Sequence, residues 1–599
     1  MSVVPVTRPG LASRWHSFES WVGTRRSAAA LFVLALAVFA VQSVVLPVQP
    51  GRDMPRYVQT YLQFFNEEPI LPSVLNSRGP LTALGVSVPL EIGGAAAEIW
   101  LGLLYAASIV AWGYVALAFG ARAALLATAL LLAFPGYGIM FHGLASDAIF
   151  AASFAGWAVL LTRAILKPSV AAFLLTGLGM GALVLVRPAN QALVLLALLP
   201  LLLRGSPWER RLAWAASLFV SFSAVTQGWK ALAALRWGDA VALEPSVAVL
   251  ATSLVLCVFL VPSVWRRRLG LLAIPLVAVV VAVNWSSVQN PMDYVRTVAQ
   301  GPPIDIFLFR AFEVDRIVAP ANGPASRQLA EVVQRDLLAE EPYRSYGVDL
   351  DEFFSSGSDR MFVDLASLGG RADLRAVTEE AIREHPGAFA EGIAGTVWEM
   401  LWHSRVYGPE SAAASAELRG GQDLGVVEVG DQNLPRPSEG ELIPSSRVGP
   451  AIRGLRGGVR EVWYSPTGHN LVFGHPSDER RYLAFERDTY RLVGRIPTRD
   501  SMQSAVHRLN QASYRFPPPF VWLAIGAVAL AVRRPRGVLA ALAPSLAGLV
   551  VVAVTGAVTL AVGEYVVPVA PAFILLAAAG LVGAHPRGRL PIRRSRAAT

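Results

Sequence analysis

The sequence predicts an all-α polytopic membrane protein of about twelve transmembrane helices, with one large extracytoplasmic and mainly helical domain. Three observations carry that prediction. The 599 residues are 54% hydrophobic and 16% charged, with a mean hydropathy of +0.47, too apolar for a chain whose only solvent is water. Apolar runs near the ~20 residues that cross a hydrocarbon core recur along it. The arginines sit in short clusters between those runs, the pattern of the positive-inside rule.

Taken in order, the predicted spans are residues 28–48, 95–118, 121–135, 147–165, 169–187, 190–203, 211–229, 245–264, 269–285, 519–532, 537–561 and 565–583. Arg25 and Arg26 precede the first, which lacks a small-x-small cleavage site and reads as a retained signal-anchor helix. With residues 1–27 cytoplasmic, the inner loops hold Arg122, Arg163, Lys167, Arg204, Arg210, Arg211, Arg266 to Arg268, Arg533, Arg534 and Arg536, and the basic tail 584–599 follows. Glu19 and Glu209 are the acids among them. The net charge of +9 is therefore a topology signal, and a nucleic-acid partner is excluded because the arginines share no soluble face. The chain is placed in the cell membrane with both termini cytoplasmic. Cys257, the sole cysteine, excludes an intramolecular disulfide and cysteine-ligated zinc.

Residues 28–285 form a membrane domain of about nine helices, with outer loops at 49–95 and 135–147, and residues 519–583 add the last three. The intervening 286–518 is the extracytoplasmic domain. Its part 326–402 has amphipathic helical spacing, 405–478 is crowded with Gly, Pro, Ser and Glu and reads as flexible loop, and 477–510 returns to a helical pattern.

The outer loops hold the residues suited to chemistry. Asp53 opens a short amphipathic helix just beyond the first span, with Arg56, Tyr57, Thr60, Tyr61 and Phe64 within about three turns. Asp53 reads either as the N-cap of that helix, ahead of Pro55, or as an acid where a lipid head group meets water. Arg78, before Gly79-Pro80, is either a solvated residue at a turn or a phosphate ligand. His142 and Asp147 flank the mouth of the fourth span, where an acid is a helix cap or a functional group. Arg187 ends the fifth span on the same face, and Glu564-Tyr565 begins the last. Trp398, Trp402 and Trp463 suit carbohydrate stacking or packing at the membrane interface. No P-loop, HExxH or GxSxG motif occurs, which removes support for P-loop nucleotide hydrolysis, zincin proteolysis and serine-elbow hydrolysis.

On these residues the chain resembles the GT-C superfamily of membrane glycosyltransferases, in its protein O-mannosyltransferase-like and aminoarabinose-transferase-like branch (family 39-type). Asp53, Arg56 and Tyr57 keep the frame of that branch's Asp-Glu-x-Arg-Tyr-like motif, with Met54 at the second acid. Arg78-Gly79-Pro80-Leu81 is similar to its Lys-Pro-Pro-Leu-like segment, and Ser146-Asp147 to its Ser/Thr-Asp. Its late Arg-Tyr-x-x-Pro motif is echoed by Glu564-Tyr565-Val566-Val567-Pro568, with Glu replacing Arg.

The resemblance implies transfer of a sugar, with inversion, from a polyprenyl-phosphate donor to an extracytoplasmic glycan, lipid or protein. Asp53 is then the general base, and Arg56, Arg78 or Arg187 stabilises the departing phosphate. Tyr57, Tyr61, His142 and Glu564 complete the substrate-binding set. Asp147 orients the acceptor, helps Asp53 hold a divalent metal, or caps its helix, and these three stay open. No other cofactor is implied. The competing readings are a non-catalytic membrane scaffold and a polyprenyl-lipid transporter with a GT-C-like fold.

Overall fold

The computed structural model describes residues 19, 21–51, 53–66, 79–203, 205–237, 306–340, 343–356, 359–366, 368, 372–403, 426–428, 443–448, 459–463, 468–473, 475–496, 508, 511, 515–533, 538–558 and 565–583. The expected spans 245–264 and 269–285, Arg78, Glu564 and both chain termini lie outside the described residues.

Helix α1 (Arg25–Val45) is opened by Thr24, whose side-chain oxygen accepts from the Ser27 amide at 3.2 Å. Strand β1 (Gln49–Pro50) and helices α2 (Met54–Gln63) and α3 (Pro80–Ile92) follow, then α4 (Gly94–Leu117), α5 (Ala121–Ala133) and α6 (Pro135–Met140). After β2 (Gly143–Leu144) come α7 (Ser146–Leu166), α8 (Val170–Val186), a 3-10 helix Pro188–Leu202, and α9 (Trp208–Trp237). Among the described residues, four helices, α1, α4, α7 and one near the C-terminal end (Val538–Val558), are long and apolar enough to cross a membrane. Shorter apolar helices pack with them in one core. On α1, Val33, Val41 and Val44 face outward, as valines do where lipid is the solvent.

The region 49–95 is more than the outer loop expected: it contains α2 and the apolar α3. Only thirteen residues long, α3 falls below the length of a span, and the Gly79-Pro80 that resembles a turn is its start, proline being tolerated in a first helical turn. The stretch 190–203 is a 3-10 helix where an α-helical span is expected. At about 2 Å of rise per residue, its fifteen residues reach roughly 28 Å, close to a hydrocarbon thickness that the same residues in α form fall short of.

Among the described residues of the polar segment, α10 (Ile306–Phe309) comes first and runs into a π-helical turn at Arg310–Val314. Helices α11 (Pro324–Asp336), α12 (Tyr343–Tyr346), α13 (Leu350–Ser356), α14 (Asp359–Ala366), α15 (Leu374–Glu384) and α16 (Pro386–Trp402) follow. Phe312, Val333, Phe353, Met361 and Val377 centre a second core, separate from that of the bundle. Glu380 joins α15 to α11, accepting from the Ala325 and Ser326 amides at 2.9 and 2.8 Å.

Between 405 and 478, where loop is expected, strands β3 (Val426–Glu428), β4 (Ile443–Val448), β5 (Val459–Trp463) and β6 (Gly468–Phe473) form an antiparallel sheet in the order β3-β6-β5-β4. The Gly and Pro residues divide these runs of three to six residues, too brief for the alternation that marks longer strands. Helix α17 (Pro476–Val493) matches the start of the helix expected at 477–510. The chain ends in α18 (Pro519–Arg533), α19 (Val538–Val558) and α20 (Ala570–Val582).

Arg310 fastens the polar domain to the bundle. Its guanidinium is fully buried, pairs with Asp315 at 2.9 and 3.0 Å, donates to Thr396 on α16 at 3.2 Å, and donates to the Gly556 carbonyl on α19. Burial pushes the Asp315 carboxyl up, against the pull of Arg310. Glycine is required opposite this pair, because a Cβ on Gly392 would overlap both side chains.

Candidate functional site

The site is assembled where several helix ends meet. Strand β1, just after α1, pairs in parallel with β2, just before α7, in the register Gln49 to Gly143 and Pro50 to Leu144. The Gln49 amide donates to the His142 carbonyl at 2.9 Å and the Gly51 amide to the Leu144 carbonyl at 3.3 Å. Gly51 is the residue that permits this approach, since a Cβ there would lie 2.5 Å from that of Ala145. Residues almost a hundred positions apart are thereby held side by side.

Asp53 follows at once, with φ at 59°. It occupies the position of an N-cap for α2, but its side chain makes no capping hydrogen bond, so the cap reading does not hold. The carboxylate is exposed. A left-handed, non-glycine residue is a strained conformation of a kind often found at functional sites.

Asp147 lies in the first turn of α7, and Arg187 follows the last residue of α8. The guanidinium donates to Asp147 Oδ1 at 2.5 Å and to Ser146 Oγ at 3.4 Å, with side-chain exposures of 14% for Arg187 and 4% for Asp147. It also lies 4.9 Å from the Tyr565 ring centroid and 5.5 Å from that of Phe150, cation-π range for both. Tyr57 on α2 is within electrostatic reach of the same cation. Asp147, Arg187 and Tyr565, scattered in the sequence, therefore meet here, with Tyr57 close enough to act on the same cation.

Helix α3 closes another side. A Cβ on Gly79 would overlap the Val186 carbonyl oxygen, and Thr82 Oγ1 donates to that oxygen at 2.7 Å. The residue after the expected ligand Arg78 thus abuts the residue before Arg187, although Arg78 itself lies outside the described residues, as does Glu564.

Arg56 and Tyr61 point elsewhere. Arg56 Nη1 donates to Gln59 Oε1 at 3.4 Å, and Gln59 Nε2 donates to Glu486 Oε1 on α17 at 3.1 Å. Arg56 also acts electrostatically on Glu486, Tyr482 and Tyr490, so it serves the contact between α2 and α17. Tyr61 packs edge-on against Phe65 at 5.2 Å. His142 is fully buried, stacked on Phe39 at 4.3 Å with Nε2 3.4 Å from Gln42 Oε1. It therefore sits within the helix packing behind the loop.

Glu486 is a residue the sequence reading missed. Burial raises its pKa, opposed by Arg56 and by hydrogen bonds from Tyr482 and Gln59. A signal existed: in α17 the apolar stripe Tyr482, Phe485, Thr489, Leu492 contains this glutamate, and an acid on the buried stripe of an amphipathic helix needs a partner. Among the described residues, no cluster of three or more His, Cys, Asp or Glu is spaced to hold a metal ion.

No protein-family model matches the chain, and no curated protein matches it. Among solved structures it is similar to ArnT from Cupriavidus metallidurans bound to undecaprenyl phosphate, at 17% identity over 64% of this chain and 83% of that one, with a TM-score of 0.29. The apo state of the same ArnT gives 16% identity, 63% and 82% coverage, and a TM-score of 0.28. The likeness is faint. At that identity and superposition it carries no weight for the residues above.

Proposed function

We propose that this chain is a membrane glycosyltransferase that moves a sugar from a polyprenyl-phosphate donor to an acceptor hydroxyl outside the cytoplasm. The observation that carries the reading is Arg187, a cation held by Asp147 and flanked by Phe150 and Tyr565 at one end of an apolar bundle. A phosphate carried on an isoprenoid chain needs that combination: an apolar surface for the chain and a guanidinium for the head group. The second support is Asp53, an exposed carboxylate on a loop that β1 and β2 hold beside the start of α7. The motif resemblance around Asp53, Arg78 and Asp147 agrees with both.

In this reading Asp53 takes the proton of the acceptor hydroxyl as its oxygen bonds to the anomeric carbon. The bond from that carbon to the phosphate oxygen breaks on the opposite face, so configuration inverts. The leaving electron pair stays on the polyprenyl phosphate, stabilised by Arg187 and by Arg78, the residue before Gly79 in the sequence. Asp147 keeps Arg187 aimed.

The test uses purified protein in nanodiscs with a panel of radiolabelled polyprenyl-phosphate sugars and cell-envelope extracts as acceptor. Asp53→Asn should reduce transfer by at least about a thousandfold while leaving yield and membrane insertion unchanged. Full transfer by Asp53→Asn would end the assignment of the base.

A further inference from the structure

Over its described residues, Pro519–Arg533, helix α18 rises about 22 Å. Its outward flank is apolar, with Val528 64% and Val532 77% exposed. At the Pro519 end, Phe520 meets two tryptophans of the polar domain, Trp398 at 4.9 Å and Trp402 at 6.0 Å between ring centroids. Those indoles stack on one another at 5.4 Å, yet both remain substantially exposed. Around the same end, Phe516 stacks on Phe134 at 4.6 Å, and Trp522 donates to the Pro517 carbonyl at 3.0 Å.

The orientation of α16 is fixed. Val397 and Met400 on its inner side press on Gly556 of α19, and Arg310 binds Thr396 and Gly556 together. Its other side therefore cannot turn inward. That side bears Ala394, Gly395, Trp398 and Trp402, with Glu391 and Glu399 the only acids and no lysine or arginine anywhere in the helix.

We propose that the C-terminal half of α16 is a membrane-interface anchor, in which Trp398 and Trp402 seat the polar domain in the boundary between lipid head groups and acyl chains. The occupant of this surface is phospholipid. The indoles lie against Phe520 at the Pro519 end of α18, the helix whose Val528 and Val532 are exposed to lipid, and an aromatic ring with a polar N–H suits the depth at such a helix end. With no basic residue on α16, the attraction is apolar, so anionic lipid is not required.

The experiment places a nitroxide on Gly395, which has open space around a built Cβ, using Gly395→Cys in full-length protein carrying Cys257→Ser. Spectra are taken in phosphatidylcholine nanodiscs, with Val528→Cys as the lipid-facing reference and Arg335→Cys, which is exposed on α11, as the aqueous one. Collision with oxygen should exceed collision with water-soluble nickel chelate at Gly395 by several-fold, close to the ratio at Val528. A ratio equal to that at Arg335 overturns the proposal. As a second readout, unsubstituted protein in nanodiscs is oxidised by hydroxyl radicals and mapped by mass spectrometry. Trp398 and Trp402 should be oxidised at least fivefold less than the exposed His475, after correction for intrinsic reactivity. Oxidation in proportion to their exposure, or protection by soluble oligosaccharide and not by lipid, identifies a carbohydrate platform and refutes the anchor.

Discussion

Replacing Asp147 by alanine leaves the Arg187 guanidinium facing the Phe150 and Tyr565 rings and the neutral Ser146 hydroxyl, with its carboxylate acceptor removed. The pair is nearly dry, at 4% and 14% side-chain exposure. Breaking a buried pair by deleting one partner typically costs ~3–5 kcal/mol. The rings of Phe150 and Tyr565, at 5.5 and 4.9 Å, keep part of the cation's stabilisation, worth ~1 kcal/mol together. Asp147→Ala should therefore cost about 2–4 kcal/mol, a shift of roughly 30- to 1,000-fold in the folded ratio. Removing both charges, as Asp147→Leu with Arg187→Met, should return stability to within about 1 kcal/mol of the natural protein, because a matched apolar pair has no desolvation to offset. The assay is reversible unfolding by dodecyl sulfate in mixed micelles, with all four corners of the double-mutant cycle. If Asp147→Ala loses less than about 0.5 kcal/mol, or the double variant loses the sum of the singles, the two charges do not act as one buried unit.

Glu486 makes a pH prediction. Burial raises its folded-state pKa above the unfolded value, so stability falls as pH rises through the raised value and is recovered towards the ordinary glutamate range. Melting followed between about pH 8 and pH 4 should show that slope, and Glu486→Gln should flatten it while being the more stable protein at the upper end. Gly51→Ala forces a methyl to 2.5 Å from Ala145, at a cost of about 1–3 kcal/mol, and should raise amide exchange at Gln49 and Gly51 more than elsewhere. Arg310→Met strands a buried Asp315 and cuts the link to Gly556, so limited proteolysis should release the polar domain at least tenfold faster, with the bundle intact.

What the sequence made legible was set by signal length. Runs such as 28–48 and 147–165 carry enough apolar residues to announce a helix in lipid, and each has a counterpart in α1 and α7. Helix α3 has a comparable apolar character over thirteen residues, and strands β3 to β6 are shorter still, so neither rises above the surrounding loop signal. Charge parity placed Asp147 and Arg187 on one face, but no local pattern reports that residues 40 apart touch. The same limit hid Arg310, an ordinary arginine in sequence whose burial depends on Gly556, and Glu486, whose partner Gln59 is 427 positions away. Asp53 was the reverse case: its type and place suit a cap, and only the backbone angle and the missing cap bond decide against it.

The Asp147–Arg187 contact has a consequence for biogenesis. The two residues belong to one helical hairpin, α7 and α8, and sit at its open end. When α7 alone has entered the bilayer, Arg187 has not yet reached its carboxylate. Once α8 follows, that hairpin carries both members of the pair and can enter as a neutral unit, before α19, α20 and Tyr565 have been synthesised. A ribosome stalled shortly after α8 should therefore already hold a membrane-integrated hairpin, and Arg187→Met should make α7 the span whose integration fails.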